Sequence, residues 1–237
     1  MAADIGRMTG MSERMDAKDW VKVKGHLKDV YSLLAGACIL GTVGAILEMQ
    51  YAYAMPFLHT VALILTLAGV FGVTGLFGMK YRKPSFAALA FGMGFGLGPL
   101  LDHAAALNPS IVIYALAGTF AIFSSLTISA MMAPDARYLY LGGMLSSALS
   151  MLFWINMVSM FFPSQFNYNL QLYGGLIVFC GYVLSDTSRM IEKAKDGRSD
   201  AISDATALFV NLIGVLRRIL IILSKKEDSD KRSRRRN

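Results

Sequence analysis

The feature that most constrains the fold is a series of apolar stretches, each long enough to cross a bilayer. A helix needs about 20 apolar residues to span the hydrocarbon core, and the sequence supplies six clear stretches and a seventh that carries charges. Only 16% of the residues are charged, against about 25% in soluble domains. The predicted spans are Val30–Ala52, Phe57–Met79, Ser85–Leu107, Ser110–Ala133, Tyr138–Phe162, Tyr168–Met190 and Ile202–Ser224.

These spans predict an all-α membrane protein, a polytopic bundle of six to seven transmembrane helices. Residues 1–29 form a polar N-terminal head, residues 30–224 the transmembrane domain and residues 225–237 a basic C-terminal tail. The head has no apolar core of a cleavable signal peptide, so we expect the first span to act as an uncleaved targeting signal. Short proline-containing loops make neighbouring helices antiparallel.

Lysines and arginines alternate between the connections and predict the orientation. The head carries six of these basic residues. The next five connections carry, in chain order, none, three, none, one and none, and four basic residues follow the sixth span. Basic residues favour the cytosolic side, so the N-terminus is predicted to be cytosolic. The tail carries seven more, which a seventh crossing would place outside. The last stretch therefore either crosses in the middle of the bundle or re-enters and returns to the cytosol.

Glycines and cysteines inside the spans are expected to serve packing. "FGMGFGLGPL" and "LGGMLSSALSML" have the small residues of close helix contacts, and no flanking strand supports a nucleotide loop. Cys38 and Cys180 lie in apolar segments and show neither a disulfide framework nor metal-ligand spacing, so we interpret them as core residues.

One group of polar residues is predicted near the non-cytosolic ends of the first three spans: Glu48, His59, Asp102 and His103. Two carboxylates there would form an outer mouth that attracts cations. Ordinary placement of charge at the membrane interface is the simpler alternative.

A second polar group lies on the last two spans. Asp186 and Asn211 fall roughly 9 and 16 Å inside the connection between these spans, at 1.5 Å per helical residue, so an antiparallel pair would bring them together. Asp204 shares a helix face with Asn211, seven residues on. Asp186 could instead pair with Arg189 on its own helix, but a carboxylate at this depth favours a functional role.

Four segments, "GFGLGPLLDHAAALNPSI", "YLYLGGMLSSALSML", "YGGLIVFCGYVLSDTSRMIEKAKDG" and "LFVNLIGVLRRILIIL", resemble the Bax-inhibitor (transmembrane Bax-inhibitor-motif) family, in order and over about Val30 to Leu223. The basic tail is similar to those of endoplasmic-reticulum members. The resemblance implies a helical bundle with a polar, central last helix, located in the endoplasmic-reticulum membrane. It also implies calcium leak, pH sensing, a part in stress responses and suppression of cell death.

The resemblance implies a pH sensor and cation constriction made of two aspartates, one on each of the last two helices. The first corresponds to Asp186, with weak calcium binding, but the second aligns with Asn211. An Asp–Asn pair lacks like-charge repulsion, so we expect a weaker or more acidic pH response and weaker calcium binding than in Asp–Asp members. Asp204 could partly substitute for the missing carboxylate.

Basic residues are candidates for a gate or ion pair with these acids. Lys80, Arg82 and Lys83 lie where family members often carry basic residues able to pair with acidic groups at the pore, and Arg189 lies one turn from Asp186. For the first three, cytosolic topology is the simpler explanation.

Two functions stay open from the sequence. One is a pH-sensitive calcium leak, with Ca²⁺ as the permeant ion and no cofactor. The other is a non-conducting protein that binds membrane-bound cell-death or stress regulators, with anionic lipid or an adaptor at the basic tail and no nucleic acid.

Enzymatic activity is not expected. Asn211 removes the partner that an aspartyl protease would need, and the three histidines, His26, His59 and His103, show no zinc-site clustering. His26 is expected outside the bundle.

Overall fold

The computed structural model describes residues 17–51, 57–132 and 137–234, and these are almost entirely helical. A 3₁₀ turn precedes α3 and another precedes α6, and a π-helical turn joins α7 to α8. The helices are α1 Ala17–Tyr51, α2 Phe57–Val73, α3 Arg82–Phe95, α4 Gly98–Leu107, α5 Pro109–Met132, α6 Leu141–Phe161, α7 Gln165–Asn169, α8 Gly175–Lys195 and α9 Ala201–Arg234.

Five helical segments of the described chain are long and apolar enough to cross a membrane, judged by length and composition. Helix α2 is apolar but shorter. The prediction of an all-helical, multi-pass membrane protein is therefore confirmed. The five segments are Val21–Tyr51, Met79–Leu107, Pro109–Met132, Leu141–Phe161 and Ala201–Arg234.

Both ends of the predicted transmembrane domain continue as helix. Helix α1 begins at Ala17, well before the expected start at Val30, and it buries Val23 and Leu27. Helix α9 continues to Arg234, beyond the expected end at Ser224. Parts of the predicted polar head and basic tail therefore belong to the two longest helices.

The third predicted span lies within one membrane-length segment, but its helix is interrupted, and a proline lies in the first turn of each helix that follows. Helix α3 ends at Phe95 and α4 begins at Gly98, with Pro99 in its first turn, where the missing proline N–H is not needed. At the end of α4, Asn108 is extended, and its side-chain oxygen accepts a hydrogen bond of 3.0 Å from the Ser110 N–H. Helix α5 then starts at Pro109.

The glycine-rich segment serves close helix packing, as the sequence predicted. A Cβ atom on Gly94 of α3 would overlap the backbone of Gly41 on α1. A Cβ on Gly92 would overlap the Thr66 hydroxyl of α2. Helix α3 therefore packs against both neighbours at backbone distance.

Helix α9 runs through the bundle from one end to the other. It packs against α1, α3, α4, α5 and α8. At its start Asp204 contacts His26, and near its end Lys225 donates a hydrogen bond to Asn169 at 2.9 Å. Of the two alternatives for the last stretch, the structure has the continuous helix and not a re-entrant turn. We call the end with His26 the first end and the end with Asn169 the second end.

Candidate functional site at the Asp186–Asn211 pair

The structure brings Asp186 and Asn211 into direct contact. Asn211 Nδ2 donates a hydrogen bond to Asp186 Oδ2 at 2.8 Å, which joins α9 to α8. Asn211 is buried and Asp186 is half-buried. Their role as a pH sensor or cation constriction stays a prediction.

The chemistry of this contact differs from that of two aspartates. An ionised carboxylate only accepts hydrogen bonds, and the asparagine amide supplies a donor, so the bond needs no extra proton. Two aspartates at the same distance would need a shared proton to avoid repulsion. The pair can therefore keep its geometry while Asp186 is ionised.

Arg189, the alternative partner of Asp186 and a candidate for the gate, lies beyond salt-bridge distance of this carboxylate, and its role as a gate stays a prediction. Its side chain is exposed, and its guanidinium lies beside Gly142 of α6, 3.2 Å from the position of a Cβ there. Among the described residues no ion pair joins it to Asp186. Buried side chains next to Asp186 include Thr187, whose hydroxyl has no hydrogen-bond partner in the described chain.

Asp204 belongs to a separate cluster at the first end. Its Oδ2 lies 2.9 Å from His26 Nε2, and its Oδ1 accepts a hydrogen bond from Lys193 Nζ at 3.0 Å. This buried carboxylate connects α1, α8 and α9, and it sits in the first turn of α9, where the helix dipole favours negative charge. Its hydrogen bonds go to these two partners and not to Asp186 or Asn211.

The expectation that His26 lies outside the bundle is wrong. His26 is 8% exposed, because α1 starts early and turns this side chain inward. The signal is present in the sequence: Val23, Leu27, Val30 and Leu34 repeat at the spacing of one helix face. His26 follows Val23 by three residues and so shares that face.

Arg82 forms contacts that its predicted role as a topology signal does not require. It donates hydrogen bonds to Asp200 Oδ2 at 2.6 Å, to Ser203 Oγ at 2.9 Å and to the Val73 carbonyl at 2.8 Å. Arg82 therefore joins the end of α2 and the start of α3 to the connection between α8 and α9. Lys80 is exposed.

Asp200 lies in this connection, and the same contacts change its pKa. Burial alone would raise the pKa of Asp200, but hydrogen bonds from Arg82 and Ser203 and the positive charge of Arg82 outweigh it. The pKa of Asp200 is therefore held below its ordinary value. Lys83, the third basic residue of this segment, is exposed.

The four residues predicted for the outer mouth line one cavity of about 450 Å³ at the second end: Glu48, His59, Asp102 and His103. Glu48 is 5% exposed, and its Oε1 lies 3.3 Å from His59 Nε2. A Cβ on Gly98 would overlap the Glu48 carboxylate, so this glycine makes room for it. The role of these four residues as an outer mouth stays a prediction. Among the described residues, no group of three or more potential ligands is arranged to hold a metal ion.

Comparison with known proteins agrees over nearly the whole chain. A family model described as "Inhibitor of apoptosis-promoting Bax1" matches residues 23–228. Bax inhibitor 1 of Drosophila melanogaster is 34% identical over 97% of this chain and 93% of its own length. Bax inhibitor 1 of Homo sapiens is 36% identical over 89% of this chain and 90% of its own. Bax inhibitor 1 of Oryza sativa subsp. japonica is 36% identical over 90% and 87%.

Proposed function

Because the chain belongs to the Bax inhibitor 1 family, a family of membrane proteins that suppress cell death, we propose that it acts in the endoplasmic-reticulum membrane by mediating or regulating a pH-sensitive calcium leak. Alignment over most of both chains supports the transfer of the family's role, since no large region of either protein is left out.

The Asp186–Asn211 contact is the observation that carries this proposal. It sets one carboxylate between α8 and α9, and the amide partner can donate a hydrogen bond to that carboxylate in its ionised form. The acidic cavity at the second end supplies two further carboxylates, Glu48 and Asp102, and an acidic vestibule raises the local concentration of cations. Calcium would enter there as the permeant ion and pass the pair, which holds it weakly because calcium prefers several oxygen ligands.

The proposed topology has seven crossings with a cytosolic N-terminus. The continuous course of α9 supports a seventh crossing, and its buried polar residues Asp204 and Asn211 face other helices, as membrane insertion requires. The basic end of α9 then lies on the lumenal side, against the trend that favours cytosolic basic residues.

The test is calcium flux from proteoliposomes that contain the purified protein, measured from about pH 5 to pH 8. We expect flux in the wild type with a weak or acidic pH response, and loss of that flux in Asp186→Asn. In Asn211→Asp two carboxylates meet and titrate as a coupled pair, so a pH step near neutrality is expected. The matched control is Asp196→Asn, which changes an exposed carboxylate of the α8–α9 connection.

Two outcomes would contradict this proposal. A near-neutral pH step already present in the wild type, and abolished by Asp186→Asn, would show that the asparagine does not change the response. No flux from any folded variant would exclude conduction.

The second candidate is the non-conducting interaction protein, and α6 favours it. Gly143 and Ser147, one turn apart, are exposed together with Trp154, and small residues on a helix surface permit close contact with another membrane helix. An absence of flux, with cell-death suppression retained in cells, would support this function.

A further inference from the structure

An apolar cavity of about 340 Å³ lies inside the bundle, next to the acidic cavity at the second end. Met49 lines this cavity and also the acidic cavity at the second end. Phe209 and Leu212 of α9 also line it, whereas Asn211 of the same helix does not. The apolar cavity therefore adjoins the acidic cavity and lies against α9, the helix that carries Asn211.

The lining offers no free hydroxyl to water. Thr42 donates its hydroxyl to the Cys38 carbonyl at 2.8 Å, and Thr119 donates its hydroxyl to the Ala115 carbonyl at 2.7 Å. The other lining side chains are aliphatic, aromatic or sulfur-containing, or are glycine. Apolar cavities of this kind stay dry and take up apolar molecules.

The cavity opens sideways, between α1 and α5. Three of its lining residues are exposed on the outer surface of the bundle: Ile46 at 48%, Leu116 at 52% and Phe120 at 73%. Both helices belong to segments apolar enough to cross a membrane, so this opening faces lipid chains and not water. Any occupant enters from the bilayer.

We propose that this cavity binds one acyl chain of a bilayer phospholipid, and that the bound chain regulates the leak. A chain in this position places hydrocarbon beside the acidic cavity and along α9, and ions do not cross hydrocarbon without water. The binding stands on the cavity itself. Its regulatory effect rests on the proposed calcium leak.

The binding test uses the full-length protein reconstituted with phosphatidylcholine that carries a photoreactive diazirine on one acyl chain. Ala45→Leu fills the cavity wall, because Ala45 lines the cavity and is 6% exposed. Loss of contact with two methylene groups weakens an apolar ligand by about tenfold, so labelling of cavity peptides should fall by about that factor. The matched control is Val43→Leu on the same helix, which is exposed and does not line the cavity, and its labelling should not change.

A second variant tests the site independently in case Ala45→Leu does not fold. Leu116→Trp narrows the opening from α5, and Ile113→Trp is its control, since Ile113 is 66% exposed and outside the cavity lining. Equal labelling of wild type, Ala45→Leu and Leu116→Trp, in protein that elutes as a single folded species, would overturn the proposal. Labelling by a diazirine fatty acid but not by the phospholipid would overturn the assignment of the source.

The two proposals fail in different ways. If no variant conducts calcium but cavity labelling still falls in Ala45→Leu, the lipid site stands and the leak does not. If calcium flux depends on Asp186 while the labelling of cavity peptides is unchanged in Ala45→Leu, the leak stands and the lipid site does not.

Discussion

Replacement of Asp204 by asparagine tests the contact that holds α1 against α8 and α9. The carboxylate is buried and has two partners, His26 Nε2 at 2.9 Å and Lys193 Nζ at 3.0 Å. At an effective dielectric constant of 20, opposite unit charges at 3.0 Å attract by about 5–6 kcal/mol. Desolvation of the two ions cancels much of this attraction.

The net cost of Asp204→Asn is smaller than this attraction for structural reasons. Lys193 is 36% exposed at its side chain and reaches water when its partner is lost, and the asparagine oxygen still accepts one hydrogen bond. Since a hydrogen bond to a charged group contributes about 1.5–3 kcal/mol, we expect Asp204→Asn to lower the free energy of unfolding by about 2–3 kcal/mol.

The assay is SDS titration of the purified protein in mixed micelles, followed as a double-mutant cycle with His26→Gln and Asp204→Asn. Residues in one hydrogen-bonded cluster couple by about 0.5–3 kcal/mol, so the double variant should lose less stability than the sum of the two single variants. Asp230→Asn, an exposed carboxylate of α9, is the control and should change stability by less than about 0.5 kcal/mol. Additive effects of His26→Gln and Asp204→Asn would refute the contact.

Two further changes probe the first end and the core. Burial opposes ionisation of Asp200, but the contacts with Arg82 and Ser203 lower its pKa overall. These contacts therefore stabilise the fold above about pH 4, the ordinary aspartate value. Their stabilising effect is lost as pH falls through the lowered pKa. Asp200→Asn should therefore lower Tm at neutral pH and leave Tm unchanged near pH 2. The loss of stability at neutral pH should be about 1 kcal/mol or less, since the side chain is 37% exposed. An equal loss at both pH values would contradict the linkage. Gly94→Val forces a side chain into the backbone of Gly41 on α1 and should lower the free energy of unfolding by at least about 3 kcal/mol, measured as loss of folded, monodisperse protein. Its control, Gly143→Val, meets open space and should be tolerated. Equal behaviour of these two variants would show that the helices do not approach at backbone distance.

The helical spans and the Asp186–Asn211 contact could be predicted because their signals are local. Apolar length reports a membrane helix without knowledge of its neighbours. The two residues are 25 positions apart on consecutive antiparallel helices with a short connection, so counting residues from the loop places them at similar depth. The packing role of the glycine-rich segment could be predicted for the same reason, because small residues on a helix indicate close contact without knowledge of the partner helix.

The His26–Asp204 contact could not be predicted in this way. Its partners are 178 positions apart, and His26 lies among charged residues that hydropathy assigns to a polar head. Such a pairing depends on which helices meet in three dimensions, and this is tertiary information that span prediction lacks. The same holds for Arg82, whose three partners lie at the end of α2, in the α8–α9 connection and in the first turn of α9. It also holds for the cavity beside Phe209, which exists only where five helices come together.

The passage of α9 through the bundle has a consequence for biosynthesis. Domains generally fold from the N-terminus as the chain is made, yet α1 buries His26 against a residue of α9, which is synthesised after all the other described helices. Until α9 is inserted, α1, α3, α5 and α8 surround an unfilled space, and Asp186 has no asparagine to donate to it. Chains truncated before Ala201 therefore cannot close the bundle, and they expose to quality control the charged groups that the last helix covers.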